Sequence, residues 1–326
     1  MPRAFLATII HRKTHLLYYL YKKIRYIKNN LNDNFMKKGI LLGLLLLFTS
    51  AYILAENKRM YLLEAVEKKM VQYTVTRTQE PFNNKGLKIA ITNTGKEALV
   101  IKIDPAMVFE PEDTAYQDLM LPGNDMLYVG PGRTNSMELQ SYCAKSAAMS
   151  PGHELLFRFK KQGDSSMIKT LDYLRQIGAG TELAQKTVWF LTDRNKDLSS
   201  IYEDGQQEQS LKMIQFLSKL YAIEIPGYRT ERGINTTPGA IAQSEEVLKL
   251  HVRLEWVQHS PELLSLSIFN ENNQRIASYF EDKAVRKGRA EITASFETTS
   301  YPKGNYYVRV YNDMGNIIKE VKVPLQ

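Results

Sequence analysis

Few side chains in this chain are of a type and spacing that could do chemistry. Cys143 is the only cysteine among 326 residues, so no intramolecular disulfide can form. A lone thiol is either a small apolar core group or a nucleophile. Gln185 lies in Ala184-Gln185-Lys186-Thr187-Val188-Trp189. On a helix Gln185, Val188, Trp189 and Thr192 fall at i, i+3, i+4 and i+7, which puts the amide on the face that packs the indole. The ordinary task of such a glutamine is a hydrogen bond to loop backbone. Three histidines follow residue 55, His153, His251 and His259. None belongs to an H-x-x-x-H or C-x-x-C pattern, so no metal ligand set is expected. His153 follows Pro151-Gly152 in an expected surface loop, and no G-x-S-x-G elbow accompanies it. Glu110, Glu112 and Asp113 flank Pro111 with oxygen ligands that could suit calcium, but the D-x-D-x-D-G pattern is absent and a solvated acidic turn is the plainer reading. Near the C-terminus, alternation sets Tyr307, Arg309 and Tyr311 on one strand face and Tyr306 with Val308 and Val310 on the other. One face must be core; the other is a candidate aromatic binding stripe of the kind that contacts glycans or proteins. With no paired catalytic groups and no glycine-rich phosphate loop, neither a catalytic residue nor a cofactor is expected.

The elements that would position these residues are mostly strands. Residues 71–78, 87–91 and 99–103 alternate, and 107–109, 126–129 and 136–140 add short strand candidates, separated by Pro111, Pro122-Gly123 and Gly130-Pro131-Gly132. Short strands with such punctuation indicate a sandwich, and 87–91 with 99–103 reads as a hairpin about Asn93-Thr94-Gly95. The period then changes. Met167, Leu171, Leu174 and Ile177 recur at helical steps after Ser165-Ser166 and stop at Gly178-Ala179-Gly180. A second helix runs from Thr181 to about residue 192, and a third over 208–221 aligns Leu211, Ile214, Leu217 and Leu220. Residues 226–246 lack periodicity and read as a linker. Beyond it, 248–256, 264–269, 275–280, 290–296, 305–311 and 317–323 form a second set of strands. The expected fold class is mainly β with an α insertion: two immunoglobulin-like antiparallel β-sandwiches separated by a short helical segment. Its parts are an N-terminal sandwich at 56–143, a helical segment at 144–225 packed on it, and a C-terminal immunoglobulin-like sandwich at 247–326.

Residues 36–55 read as a secretory signal peptide: Lys37-Lys38, an apolar run over 40–54 and Ala55 as the preferred cleavage residue, with Ala51 the second choice. The run holds fifteen residues, short of the ~20 that span a bilayer, which favours cleavage over anchoring. No cysteine follows either site, so lipid attachment is not expected. The basic stretch 1–35 reads as a misassigned start or as a long leader. Residues 1–55 hold nine of the 43 Lys and Arg and one of the 35 Asp and Glu, which leaves equal numbers of each beyond them. The excess charge that would suit nucleic acid therefore lies in the leader, and nucleic-acid binding loses its support.

Two resemblances add to this reading. Leu266-Ser267-Ile268-Phe269-Asn270, the stretch from Tyr301 through Tyr306-Tyr307-Val308-Arg309-Val310 to Gly315, and Ile318-Lys319-Glu320-Val321-Lys322-Val323 resemble immunoglobulin-like or fibronectin-like modules at the C-termini of exported Bacteroidetes-type proteins, including type IX sorting domains. Asn273 stands where the early hairpin of that group has Gly, and the chain ends Val323-Pro324-Leu325-Gln326 instead of on a basic residue. Ser141-Tyr142-Cys143-Ala144 and the segment around Gln185 are similar to motifs of thioester domains in bacterial surface adhesins, although only 42 residues separate them. That resemblance implies that the Cys143 sulfur attacks the Gln185 side-chain carbonyl, ammonia leaves, and the thioester captures an amine. The expected function is an exported, non-enzymatic binding protein of the periplasm or cell surface, with a protein or glycan of the envelope as partner and membrane contact only through the signal segment. The alternatives are a thioester adhesin and a secreted hydrolase with unrecognised carboxylates.

Overall fold

A computed structural model describes Lys22 and residues 58–152, 155–193 and 197–325. Residues 36–55, where a signal peptide is expected, and His153 lie outside the described residues. Lys58–Gln326 forms one compact unit, mainly β, with helices inserted between two sandwiches.

The first sandwich is built from β1 (Lys58–Tyr61), β2 (Val71–Arg77), β3 (Leu87–Asn93), β4 (Leu99–Lys102), β5 (Met107–Pro111), β6 (Leu119–Met120), β7 (Met126–Val129), β8 (Thr134–Leu139), β9 (Tyr142–Cys143) and β10 (Leu156–Gln162), with the short helix α1 (Leu62–Glu67) after β1. Seven strands pair in the order β8-β3-β2-β10-β5-β6-β9, and β1-β4-β7 form the facing sheet. Val71, Val75, Leu87, Ile89 and Ile91 from the large sheet share a core with Met60, Leu99, Ile101 and Val129 from the small one. At the β5–β6–β9 end both faces are covered. Met107, Phe109, Leu119, Leu121 and Cys143 point into the sandwich, while Ala106, Val108, Met120 and Ala144 point to the helices. The two-residue period of a strand thus divides one short sequence between two cores.

Three local readings are corrected here. Strands β3 and β4 do not form a hairpin: β3 pairs with β2 and β8, whereas β4 pairs with β1 and β7. Alternation states only that each strand buries one face, and an arch between sheets meets it as well as a turn within one. The arch is held by Asn93, fully buried, whose amide donates to the Glu97 and Val129 carbonyls (2.7 and 3.1 Å) and accepts from the Gly95 N–H (2.9 Å). The sandwich is not wholly antiparallel, since β1 runs parallel to β4. Strand β10, inside the stretch expected to be helical, sits between β2 and β5. Its sequence Leu156-Phe157-Arg158-Phe159-Lys160-Lys161-Gln162 has few apolar residues because most of it faces solvent.

The helices are α2 (Ser165–Gln176), α3 (Thr181–Thr192) and α4 (Gln207–Tyr221), with 3-10 turns at Leu198–Ile201 and Asp204–Gln206. Asp164, not Ser165 or Ser166, caps α2, its carboxylate accepting the Met167 N–H at 2.9 Å. Gly178 ends that run at φ +64°, a conformation glycine adopts without a Cβ penalty. Helix α3 is buried continuously from Leu183 to Leu191. A helix covered on all sides needs apolar residues on all sides, and its polar members Gln185, Lys186 and Thr187 each have partners. Leu171, Leu174, Leu183, Val188, Met213, Ile214 and Leu217 close the helical core against the outer face of β5 and β6.

The second sandwich comprises β11 (Tyr228–Ile234), β12 (Gln243–Gln258), β13 (Glu262–Asn270), β14 (Arg275–Val285), β15 (Gly288–Glu297), β16 (Gly304–Asn312) and β17 (Ile317–Leu325). The sheets β11-β12-β15 and β14-β13-β16-β17 face each other over Leu250, Val252, Leu254, Leu264, Leu266, Ile268, Val308, Val310 and Val323. Seven antiparallel strands in a three-on-four packing are an immunoglobulin-like arrangement. Asn273 takes φ +59° in the β13–β14 turn, a left-handed position that asparagine tolerates nearly as glycine does. The stretch 226–246 is not a bare linker. It supplies β11, paired along β12 from Tyr228↔Val252 to Ile234↔Gln243. The loop after β11 is tied to residues 146–150 by Ser150 N–H to Ala240 O (2.7 Å) and Ala242 N–H to Ala148 O (3.2 Å). Ala242 is itself buried in the first core.

Candidate functional site

Cys143 and Gln185, 42 residues apart, are brought together. The Gln185 Oε1 accepts the Cys143 backbone N–H and its Nε2 donates to the Cys143 carbonyl, each at 2.9 Å. Strand β9 is the edge of the seven-stranded sheet, so this amide, fully buried on α3, occupies the place of the next strand's peptide. The Cys143 side chain points to the sandwich core. Burial pushes its thiol well above the ordinary value, opposed only in part by the Arg77 guanidinium. A thiol in that state is a poor nucleophile, and both polar ends of the amide are engaged with backbone.

The acidic residues about Pro111 do not converge. Glu110 is paired with Arg158 (2.7 Å) and Lys160 (3.2 Å), which hold its carboxyl below the usual range. Asp113 turns back to accept the Ala115 N–H. Tyr306 belongs to the core, stacked on Tyr301 with its hydroxyl donating to the Pro302 carbonyl (2.7 Å). Tyr307, Arg309 and Tyr311 lie on the opposite face of β16. There the Arg309 guanidinium stands 4.9 Å from the Phe269 ring and 5.1 Å from the Tyr307 ring, within cation–π range of both. Glu320 and Asn273 fix its nitrogens. The Tyr311 ring meets Phe269 edge-on, and its hydroxyl lies 3.1 Å from Ser267 Oγ. Alternation places Tyr307, Arg309 and Tyr311 on one face but does not reveal Phe269, which lies beside them across the β13–β16 register.

A third group gathers where the helical region meets the outer face of the β11–β12–β15 sheet. Lys249, His251, Arg253 and Glu255 point away from the sandwich core as alternation demands, yet His251 is 4% exposed because Tyr202 covers it, ring to ring at 4.9 Å. The guanidinium of Arg229, cross-strand from His251, lies over the same Tyr202 ring at 5.2 Å. Lys186, 4% exposed on α3, donates to the Tyr202 carbonyl (2.9 Å) and Glu203 (2.7 Å). Glu231 Oε1 accepts the Asp204 N–H at 2.9 Å. His251 Nδ1 is 2.8 Å from Ser295 Oγ, and its Nε2 is 3.5 Å from Glu231 Oε2. The neighbouring imidazole holds Glu231 below the usual carboxylate range. At the rim, burial and then the Glu203 carboxylate push Glu182 up. Residues 204, 231 and 251 come from three elements with no shared motif, so their meeting left no trace in spacing. His259, by contrast, is exposed at the end of β12.

Among the described residues, no helix is long and apolar enough to cross a membrane. No protein-family model matches the chain, and a search of curated proteins finds no match.

Proposed function

We propose that this chain is an exported, non-enzymatic binding protein of the periplasm or cell surface, acting through the outer face of its C-terminal sandwich. The observation that carries this reading is the Phe269–Arg309–Tyr307–Tyr311 stripe. Its arginine is clamped between two rings and tied by Glu320 and Asn273. Aromatic and arginine side chains are the residues that concentrate binding energy, and a pre-fixed rotamer lowers the entropy lost on docking. Rings flanked by a guanidinium, an amide and a carboxylate suit a glycan or a protein loop of the envelope. The secretory signature at 36–55 and the ionic balance beyond it support the location.

The test is retention of purified residues 58–326 on immobilised envelope polysaccharide and on immobilised envelope protein, together with cell fractionation. Tyr307→Ala and Arg309→Ala should each lower retention about tenfold or more without loss of the cooperative unfolding transition. Unchanged retention removes the stripe from the reading, and a cytosolic native protein removes export.

A second reading, the covalent adhesin, draws on the contact between Cys143 and Gln185. Its thioester would need the sulfur to replace the amide nitrogen that now donates to the Cys143 carbonyl. The intact mass decides between the two, since only the adhesin lacks one ammonia.

A further inference from the structure

The geometry points to a divalent-metal site of zinc type formed by Asp204, Glu231 and His251, on the opposite side of the second sandwich from the aromatic stripe. One ligand atom from each of these residues lies within 4.8 Å of the others. Acidic groups meet often without a cation, but the imidazole here is independent of them and points to a ligand. His251 is 4% exposed, and its buried Nε2 has no hydrogen-bond partner. The other ring nitrogen is engaged with Ser295 Oγ at 2.8 Å. When Nδ1–H donates to that hydroxyl, the Nε2 lone pair faces carboxylate oxygens, an arrangement that a metal ion between them, or a proton on Nε2, relieves.

The spacing between His251 and Glu231 fits a metal ion. At 3.5 Å, Nε2 and Glu231 Oε2 are too far apart for a good hydrogen bond. Two ligands bound to one tetrahedral ion at ~2.0–2.2 Å stand about 3.4 Å apart. The surroundings also fit. A metal-bound histidine characteristically donates its second N–H to a neighbouring polar group, and Ser295 Oγ stands 2.8 Å from Nδ1 in the place to accept it. The Asp204 N–H holds Glu231 Oε1, leaving Oε2 toward the imidazole. Of the nearby cations, Lys186 is engaged by Glu203 and the Tyr202 carbonyl, and Arg229 lies over the Tyr202 ring. One nitrogen and two carboxylate ligands from three protein residues suit zinc or a similar first-row ion, with a further position left for water. Because Asp204 comes from the 3-10 turn while Glu231 and His251 come from β11 and β12, the ion would staple the helical region to the second sandwich.

The experiment uses untagged residues 58–326, dialysed free of metal and titrated with zinc by calorimetry and with cobalt by visible absorption. One equivalent should bind, with the intense d–d bands of a four-coordinate cobalt site, and zinc should raise the melting temperature. His251→Ala and Glu231→Gln should weaken binding at least 100-fold, and Ser295→Ala about 10- to 100-fold. Asp204→Asn, at an exposed turn where folding is least threatened, should weaken it too, while His259→Ala should change nothing. Absence of stoichiometric binding overturns the proposal, as does equal affinity in folded Asp204→Asn and wild type.

Discussion

Cys143 shows how burial sets what a residue can do. The sequence leaves the thiol open between core group and nucleophile; the fold places it in the sandwich core, where its pKa rises because the thiolate would be desolvated. The sign of the consequence is fixed. A thiol with a raised pKa stays protonated at pH 8 to 9, where an ordinary cysteine reacts, so iodoacetamide should leave native protein unlabelled and label one site per chain in denaturant. Intact mass should equal that of the unmodified sequence. A mass lower by one ammonia, restored in Cys143→Ala, would establish the thioester instead and make Gln185 its acyl donor.

At the scale of elements, the same pair explains how a sheet edge is finished. An unpaired edge strand leaves donors and acceptors that must be satisfied once covered. Strand β9 is two residues long and buried beneath α3, and Gln185 supplies the missing peptide group. Gln185→Ala should therefore strand one buried N–H and one buried C=O, at about 1–3 kcal/mol each when water cannot enter. A loss of about 2–6 kcal/mol in urea denaturation is expected. A loss under about 0.5 kcal/mol, the size typical of an uninvolved surface position, would show that water or another group replaces the amide. The arch at Asn93 teaches a related lesson. Period-two patterning assigned β3 and β4 as strands, but their partners were decided by a side chain that binds Val129, remote in sequence.

For the whole molecule, the decisive feature is the stretch 226–246. Composition makes it look like a tether, with Gly227, Gly233, Pro238 and Gly239. In the fold it is the edge strand of one sandwich and a contact of the other, through β11, Ala242 and the bonds to residues 146–150. Limited trypsinolysis checks this, because Arg229 and Arg232 lie within β11 and cleavage needs the strand to open locally. Early fragments should arise elsewhere. A first cut after Arg229 or Arg232 would mean that the segment behaves as a free connector.

The sequence by itself determined the class of each region, because strand and helix periods are written locally in which residues must leave water. It therefore found the mainly β fold, the helical insertion and the Tyr307–Arg309–Tyr311 face. Strand β10 escaped because it buries only Phe157 and its apolar start runs into Lys160-Lys161-Gln162, and β11 escaped because glycine and charge mask its alternation. Only the tertiary structure decided which strands pair, that Phe269 completes the stripe, that Gln185 serves the Cys143 backbone, and that Asp204, Glu231 and His251 converge. Each of those facts depends on proximity between residues distant along the chain, and proximity is fixed by packing of whole faces, which no local pattern encodes.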